Sequence, residues 1–253
     1  MSTVLITGSA DGLGLMAARL LIDEGHEVVL HGRNPRRAQD ALDAAPGAAG
    51  ALHGDLSVIA EVTSVAEQAN ARGRFDAVIH NAAVYRLPER VETVDGLSKV
   101  FAVNVLAPYL LTALVERPDR LVYLTSGMHL NGDPDLSDPQ WTRKPWNASQ
   151  AYSDSKLHVV ALAFAIARRW ADVRSNAVDP GWVATRMGGP SAPDDLAQGP
   201  ETQARLAVHS PASGGYYYHQ MLGETHPAAS DIEVQEGLLA VCREITGVEL
   251  PTS

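Results

Sequence analysis

The sequence predicts one α/β domain: a doubly wound parallel sheet of about seven strands with helices on both faces. Two observations predict it. Short aliphatic or β-branched runs alternate with amphipathic stretches through roughly the first 180 residues, the pattern of repeated strand–helix units. No repeat, low-complexity tract or linker divides the 253 residues, so 1–253 reads as a single domain. Strands are expected at 3–7, 27–31, 50–54, 75–80, 119–125, 173–179 and 215–218. Helices are expected near 12–24, 35–44, 58–71, 95–115, 149–170, 199–208 and 230–246. Such a sheet gathers ligands at the carboxyl ends of its strands, so site residues should follow strands directly.

Composition narrows the function. With 45% hydrophobic and 20% charged residues the chain can bury a core and is not disordered. Thirty acidic residues against twenty basic ones, a net charge of -10, oppose nucleic acid or an anionic membrane as a general partner. A single cysteine, Cys242, excludes an intrachain disulfide, a C-x-x-C pair and a cysteine-based zinc cluster, and no metal site is read. Val4-Leu5-Ile6 follow Met1 almost at once, without a basic leader, and the most apolar run, Val159 to Ala167, is too short to span a membrane. A cytoplasmic setting is therefore expected. Lysine is scarce: only Lys99, Lys144 and Lys156 stand among the twenty basic residues.

The first expected strand runs into Gly8-Ser9-Ala10-Asp11-Gly12-Leu13-Gly14, and an Ala- and Leu-rich helical pattern follows to Glu24. Glycines here let the chain turn sharply and bring backbone N–H groups to a pyrophosphate at a helix N-terminus. This is a dinucleotide loop in strand–turn–helix context and makes the domain a Rossmann fold. The second strand ends in Gly32-Arg33-Asn34-Pro35-Arg36-Arg37, where an NAD enzyme usually carries an acid for the ribose 2′-hydroxyl. Arginine there suits a 2′-phosphate, which favours NADP(H) over NAD(H) and marks Arg33 and Asn34. Asp55 and Leu56, after the third strand, stand where adenine contacts are expected; Asp55 as a plain helix cap would look the same.

Tyr152 and Lys156 lie four residues apart on one expected helix. With seven tyrosines and three lysines, a chance Y-x-x-x-K is expected roughly 0.08 times in this length. With Thr7 to Gly14 as T-G-x-x-x-G-x-G, Asn81-Ala82-Ala83 near N-A-G, Asn104, Ser126 and Pro180-Gly181-Trp182-Val183-Ala184-Thr185, the chain resembles the short-chain dehydrogenase/reductase family over nearly its whole length. The resemblance implies Tyr152 as the proton donor to a carbonyl oxygen, or the base in alcohol oxidation. It implies Lys156 as the charge that lowers the phenol pKa and binds the nicotinamide ribose. Ser126 is implied to hold the substrate oxygen, and Asn104 a water that links Lys156 to solvent. Gly8, Ser9, Asp11, Gly12, Leu13 and Gly14 are expected at the phosphates, Asn81, Ala82 and Ala83 along the cofactor trough, and Pro180, Gly181, Val183 and Thr185 at the nicotinamide.

Tyr152 follows Ser126 by 26 positions, about twice the usual interval, and this resembles the retinol-dehydrogenase-like branch. That insert, near 127–150, and the loop near 183–200 are expected to shape the substrate pocket. Tyr85, His129, Trp141, Trp146, Trp182 and Met187 are its expected walls, which suggests a lipophilic ketone or aldehyde, or the matching alcohol. For His129, bonding loop backbone groups is the plainer reading. Association as a homodimer or homotetramer through the long helices is usual in the family. Two rival readings are a non-catalytic dinucleotide sensor, against which the retained Tyr152 and Lys156 argue, and a methyltransferase, which calls for no Y-x-x-x-K.

Overall fold

The computed structural model describes residues 1–209 and 212–252. Its first half holds β1 (Thr3–Ile6), α1 (Gly12–Asp23), β2 (Glu27–Gly32), α2 (Pro35–Ala44), β3 (Gly50–His53), α3 (Ile59–Asn70) and β4 (Ala77–His80). The second holds α4 (Lys99–Phe101), a π-helical turn (Ala102–Leu106), α5 (Ala107–Leu114), β5 (Arg120–Leu124) and a 3-10 turn (Gly127–Asn131). There follow α6 (Ala148–Arg169), β6 (Arg174–Asp179), α7 (Gln198–Val208), β7 (Tyr216–Tyr218), β8 (Met221–Leu222) and α8 (Ile232–Thr246).

The sheet runs β3-β2-β1-β4-β5-β6-β7-β8. Pairings from β3 to β7 are parallel and β8 is antiparallel to β7. Side chains of a strand alternate between faces. Val4 and Ile6 enter the apolar layer that includes α1, α2 and α7, while Leu5 enters the layer that includes α3, α5, α6 and α8. The order of strands reverses at β1 and β4, so the loops leaving their carboxyl ends diverge and open a crevice between them.

Among the described residues the sheet has eight strands where about seven were expected. The extra one closes a hairpin whose two turn residues, His219 at φ 46° and Gln220 at φ 65°, are left-handed, as two-residue hairpins require. Neither is the glycine or asparagine that announces such a turn, so the sequence carries no sign of it. The helix expected from 95 begins at Lys99, because Thr93 to Ser98 form a turn closed by Lys99 N–H on the Val91 carbonyl, 2.9 Å. It then loosens: Ala107 N–H bonds the carbonyl of Ala102, five residues back. Pro108 has no N–H for the carbonyl of Asn104, so that oxygen loses its regular helical partner. Among the described residues no helix is long and apolar enough to cross a membrane.

Several histidines are buried. His31 is held down to about 4, His158 to about 4 and His80 to about 3, in each case chiefly by burial, which disfavours the charged ring. For His31 the geometry agrees: Nδ1 accepts the Gly8 N–H at 3.0 Å, which only an unprotonated nitrogen can do, and Nε2 donates to the Gly54 carbonyl at 3.0 Å. These rings take protons near 6.5 when unfolded, so between that value and the folded ones the unfolded chain binds more protons. Stability is therefore complete above about pH 6.5 and falls as pH drops toward 4. Urea unfolding at pH 7.5 and pH 5 should show a clearly lower midpoint at pH 5; equal midpoints would contradict neutral buried rings.

Candidate active site

The glycine loop rests on the end of β4. Gly8 has φ +62°, and a Cβ there would lie 2.9 Å from Ala82, so glycine alone fits. Asn81 was expected to face a cofactor, but its amide is used within the protein, donating to the carbonyls of Thr7 at 2.9 Å and Gly8 at 3.1 Å. His31 and the Ser9 hydroxyl, which accepts the His31 N–H at 2.9 Å, join the loop to β2. Asp11 stands at the N-cap of α1 yet caps nothing, its carboxylate instead pairing with Arg37 at 2.5 Å. No acidic residue lies in the first turn of α1. The N–H groups of Gly12, Leu13 and Gly14 thus stand at the crevice without a side-chain cap, a cradle that fits a phosphate.

Beyond β2, Asn34 caps α2 by accepting the Arg37 N–H at 2.9 Å. Arg37 is taken up by Asp11 and Asp40. Arg33 and Arg36 are exposed, and among the described residues neither has an ion-pair partner. After β3, Asp55 accepts the N–H of Ser57 at 2.9 Å and its hydroxyl at 2.7 Å, and Leu56 is buried. The carboxylate thus closes a local turn on Ser57, while the N-cap of α3 is Val58.

The helix that carries Tyr152 and Lys156 is pinned to the end of β5. Thr125 donates its hydroxyl to the Lys156 carbonyl at 2.9 Å, and Lys156 Nζ donates to the Leu124 carbonyl at 2.8 Å. Nζ lies 5.5 Å from the centre of the Tyr152 ring. Ser126, the second residue after β5, accepts the Met128 N–H on its hydroxyl at 3.3 Å and lines the same cleft as Tyr152. Asn104 clamps two segments: Oδ1 accepts the Val84 N–H at 2.8 Å, while Nδ2 donates to the Val84 carbonyl and the Ser155 hydroxyl, each at 3.0 Å. Its side chain is therefore occupied, and its backbone carbonyl lacks the usual i+4 donor because residue 108 is proline.

Burial sets the electrostatics. It raises the Tyr152 phenol well above its ordinary value, with Tyr85 and Asp179 adding to the rise, while the nearby Ser126 hydroxyl and Arg86 oppose it. The expected lowering of this phenol by Lys156 is thus outweighed: without ligand the proton stays on Tyr152 through the neutral range. Burial lowers the Lys156 ammonium to about 8, against the pull of Asp179.

Ser126, Tyr152, Tyr85, Trp182, Val183 and Met187 line one cleft of about 680 Å³ at the carboxyl edge of the sheet, with Leu13, Pro180, Gly181 and Thr185 at its cofactor side. Tyr85 packs edge-on to Tyr152 with ring centres 4.7 Å apart. Three expected walls are elsewhere. His129 is fully buried beneath the cleft, donating from Nδ1 to the Ser126 carbonyl at 2.8 Å, so it holds the serine and does not face the pocket. Trp141 and Trp146 pack on each other at 5.8 Å, their indoles bonded to Asp154 and the Leu87 carbonyl.

The insert is thus anchored onto α6, chiefly by buried Asp154, which also accepts the Asp133 N–H and pairs with Lys144 at 3.5 Å. Of the insert only Gly127 and Met128 reach the cleft. Sequence reasoning missed Asp154, His31, and two cleft residues, Asp179 and Tyr216; a polar residue ending a buried strand immediately before Pro180-Gly181 was the available sign of Asp179.

A family profile described as enoyl-(acyl carrier protein) reductase matches residues 8–212. A short-chain dehydrogenase of Penicillium rubens is 42% identical over 99% of this chain and 100% of its own length. Human retinol dehydrogenase 13 is 29% identical over 99% of this chain and 86% of its own. A solved Mycobacterium paratuberculosis protein superposes with TM-score 0.85 at 25% identity, covering 99% of this chain and 95% of that one. The NADPH-dependent 3-quinuclidinone reductase of Rhodotorula rubra has the same fold, TM-score 0.66 at 20% identity over 86% of this chain and 89% of that one. Motifs, sheet order and matches along the whole length agree: the chain belongs to the short-chain dehydrogenase/reductase family of NAD(P)-dependent oxidoreductases.

Proposed function

We propose that this enzyme is an NADP(H)-dependent carbonyl reductase acting on a lipophilic ketone or aldehyde, with Tyr152, Lys156, Ser126 and Asn104 as its catalytic set. One observation carries the reading. A tyrosine that keeps its proton and a serine hydroxyl stand together in a cleft walled by Tyr85, Trp182 and Met187. The bound dinucleotide supplies the hydride. Ser126 orients the carbonyl oxygen by a hydrogen bond, and Tyr152 gives its proton to that oxygen as negative charge develops there.

A phenol made less acidic by burial still protonates an alkoxide, which is far more basic, so the site suits reduction. Lys156 uses one of its three donors on Leu124 and has two left for ribose hydroxyls. Asn104 holds a water that links Lys156 to solvent and through which the proton is replaced. The phosphates fit the uncapped start of α1. Arg33, exposed and without an ion-pair partner among the described residues beside a strand end that carries no acid, fits a 2′-phosphate and supports the NADP(H) reading.

Replacing Tyr152 by Phe should lower kcat by about 100-fold or more and leave the NADPH Kd nearly unchanged, measured by NADPH consumption with a carbonyl panel and by fluorescence titration. Full activity in that variant would reject the mechanism. Arg33→Ala should weaken NADPH by about tenfold or more, the size of a lost charge-assisted hydrogen bond, with little effect on NADH. Equal losses for both would reject the 2′-phosphate assignment.

A further inference from the structure

One carboxylate in the cleft has no part in the scheme above. Asp179 ends β6 and is 7% exposed, yet it lines the same cleft as Ser126 and Tyr152. Its Oδ1 accepts the Gly181 N–H at 2.9 Å and its Oδ2 accepts the Tyr216 hydroxyl at 3.0 Å. A carboxylate offers about four acceptor sites, so two donors leave half of them unmet. No cation lies within ion-pair distance of it among the described residues. Buried carboxylates are costly unless paired or fully hydrogen-bonded. Asp179 lines the cleft, so a further donor can reach it from there. A Cβ built on Gly127, the residue after Ser126, would stand 3.2 Å from Oδ2, so the absence of a side chain there keeps the approach open.

We propose that Asp179, held by Tyr216 and Gly181, is a specificity residue that accepts a hydrogen bond from a hydroxyl group on the substrate, making this enzyme selective for hydroxylated carbonyl compounds. The inference rests on the carbonyl-reductase reading and names its substrate class. A neutral hydroxyl fits better than an ammonium, because Arg86, stacked on Tyr85 at 4.5 Å, lines the same cleft and repels a cationic ligand.

The test compares acetophenone with 2-hydroxyacetophenone and propiophenone with 3-hydroxypropiophenone, by kcat/KM with NADPH and by calorimetric binding to the NADP⁺-loaded protein. The wild type should favour the hydroxylated member of at least one pair by about tenfold or more in both readouts, the size of one charge-assisted hydrogen bond. Asp179→Asn keeps an acceptor for Gly181 and should bring that ratio close to one. Tyr216→Phe, which removes one of the two bonds that hold Asp179 but keeps the carboxylate and its Gly181 bond, should keep the wild-type preference for the hydroxylated ketone. A purely structural role would make both variants act alike on all four ketones.

Equal treatment of both pairs by the wild type, or an Asp179→Asn variant that keeps the ratio, overturns the proposal. So does a variant whose main loss is NADPH affinity, or a stronger wild-type preference for 2-aminoacetophenone than for 2-hydroxyacetophenone. If no ketone is turned over but calorimetry shows the ratio and its loss, the subsite stands and the reductase reading fails.

Discussion

A buried ammonium is the interaction on which the site depends. Lys156, 2% exposed, sits on α6 with its Nζ against the carbonyl of Leu124 at the end of β5. Taking such a charge out of water costs several kcal/mol after relaxation, and a single carbonyl does not match what water provided. The fold accepts that cost because the helix is held from both sides. Thr125 bonds the Lys156 carbonyl, and Asn104 bonds Ser155 one position before it. Lys156 therefore enters the site in one place, with Tyr152 one helical turn earlier and Ser126 just past the strand.

The same economy of short tethers governs the cofactor side. Gly8 can lie against Ala82 only because it lacks a side chain, and Asn81 and His31 then bond the loop from its two neighbouring strands. What stays uncommitted is informative by contrast. The start of α1 has no side-chain cap, and Arg33 has no ion-pair partner among the described residues, whereas Asn34, Arg37 and Asp55 are taken up by internal contacts. A surface that leaves N–H groups free at the start of α1 and a guanidinium unpaired just past β2 is organised for an anionic ligand.

The element order was legible because buried parallel strands and amphipathic helices leave different periods in the sequence. The spacing of Tyr152 and Lys156 was legible because a helix brings residues four apart together. Other features left no such trace. β8 depends on His219 and Gln220 adopting left-handed backbone that their identities do not advertise. Asp154 lies between Tyr152 and Lys156 in sequence, but two residues on a helix turn it away from both, so its hold on the insert could not be read from the motif. Trp141 and Trp146 were expected in the pocket because aromatic residues suit pockets and packed loops alike; their indole partners, Asp154 and the Leu87 carbonyl, place them in the packing of the insert. The phenol was misjudged for a related reason: spacing reveals a nearby charge but not how much water the fold removes.

The most direct test of this account is the protonation state of Tyr152. Tyrosine labelled with ¹³C at Cζ reports phenol and phenolate as distinct shifts, and Tyr152→Phe identifies the resonance. In the cofactor-free protein the account predicts a Tyr152 signal that stays in its phenol form across the neutral and mildly alkaline range and rises further in titration when Ser126 is replaced by Ala. A phenolate signal already present at neutral pH would contradict it, since the site would then hold a base ready for oxidation and not the acid that carbonyl reduction needs.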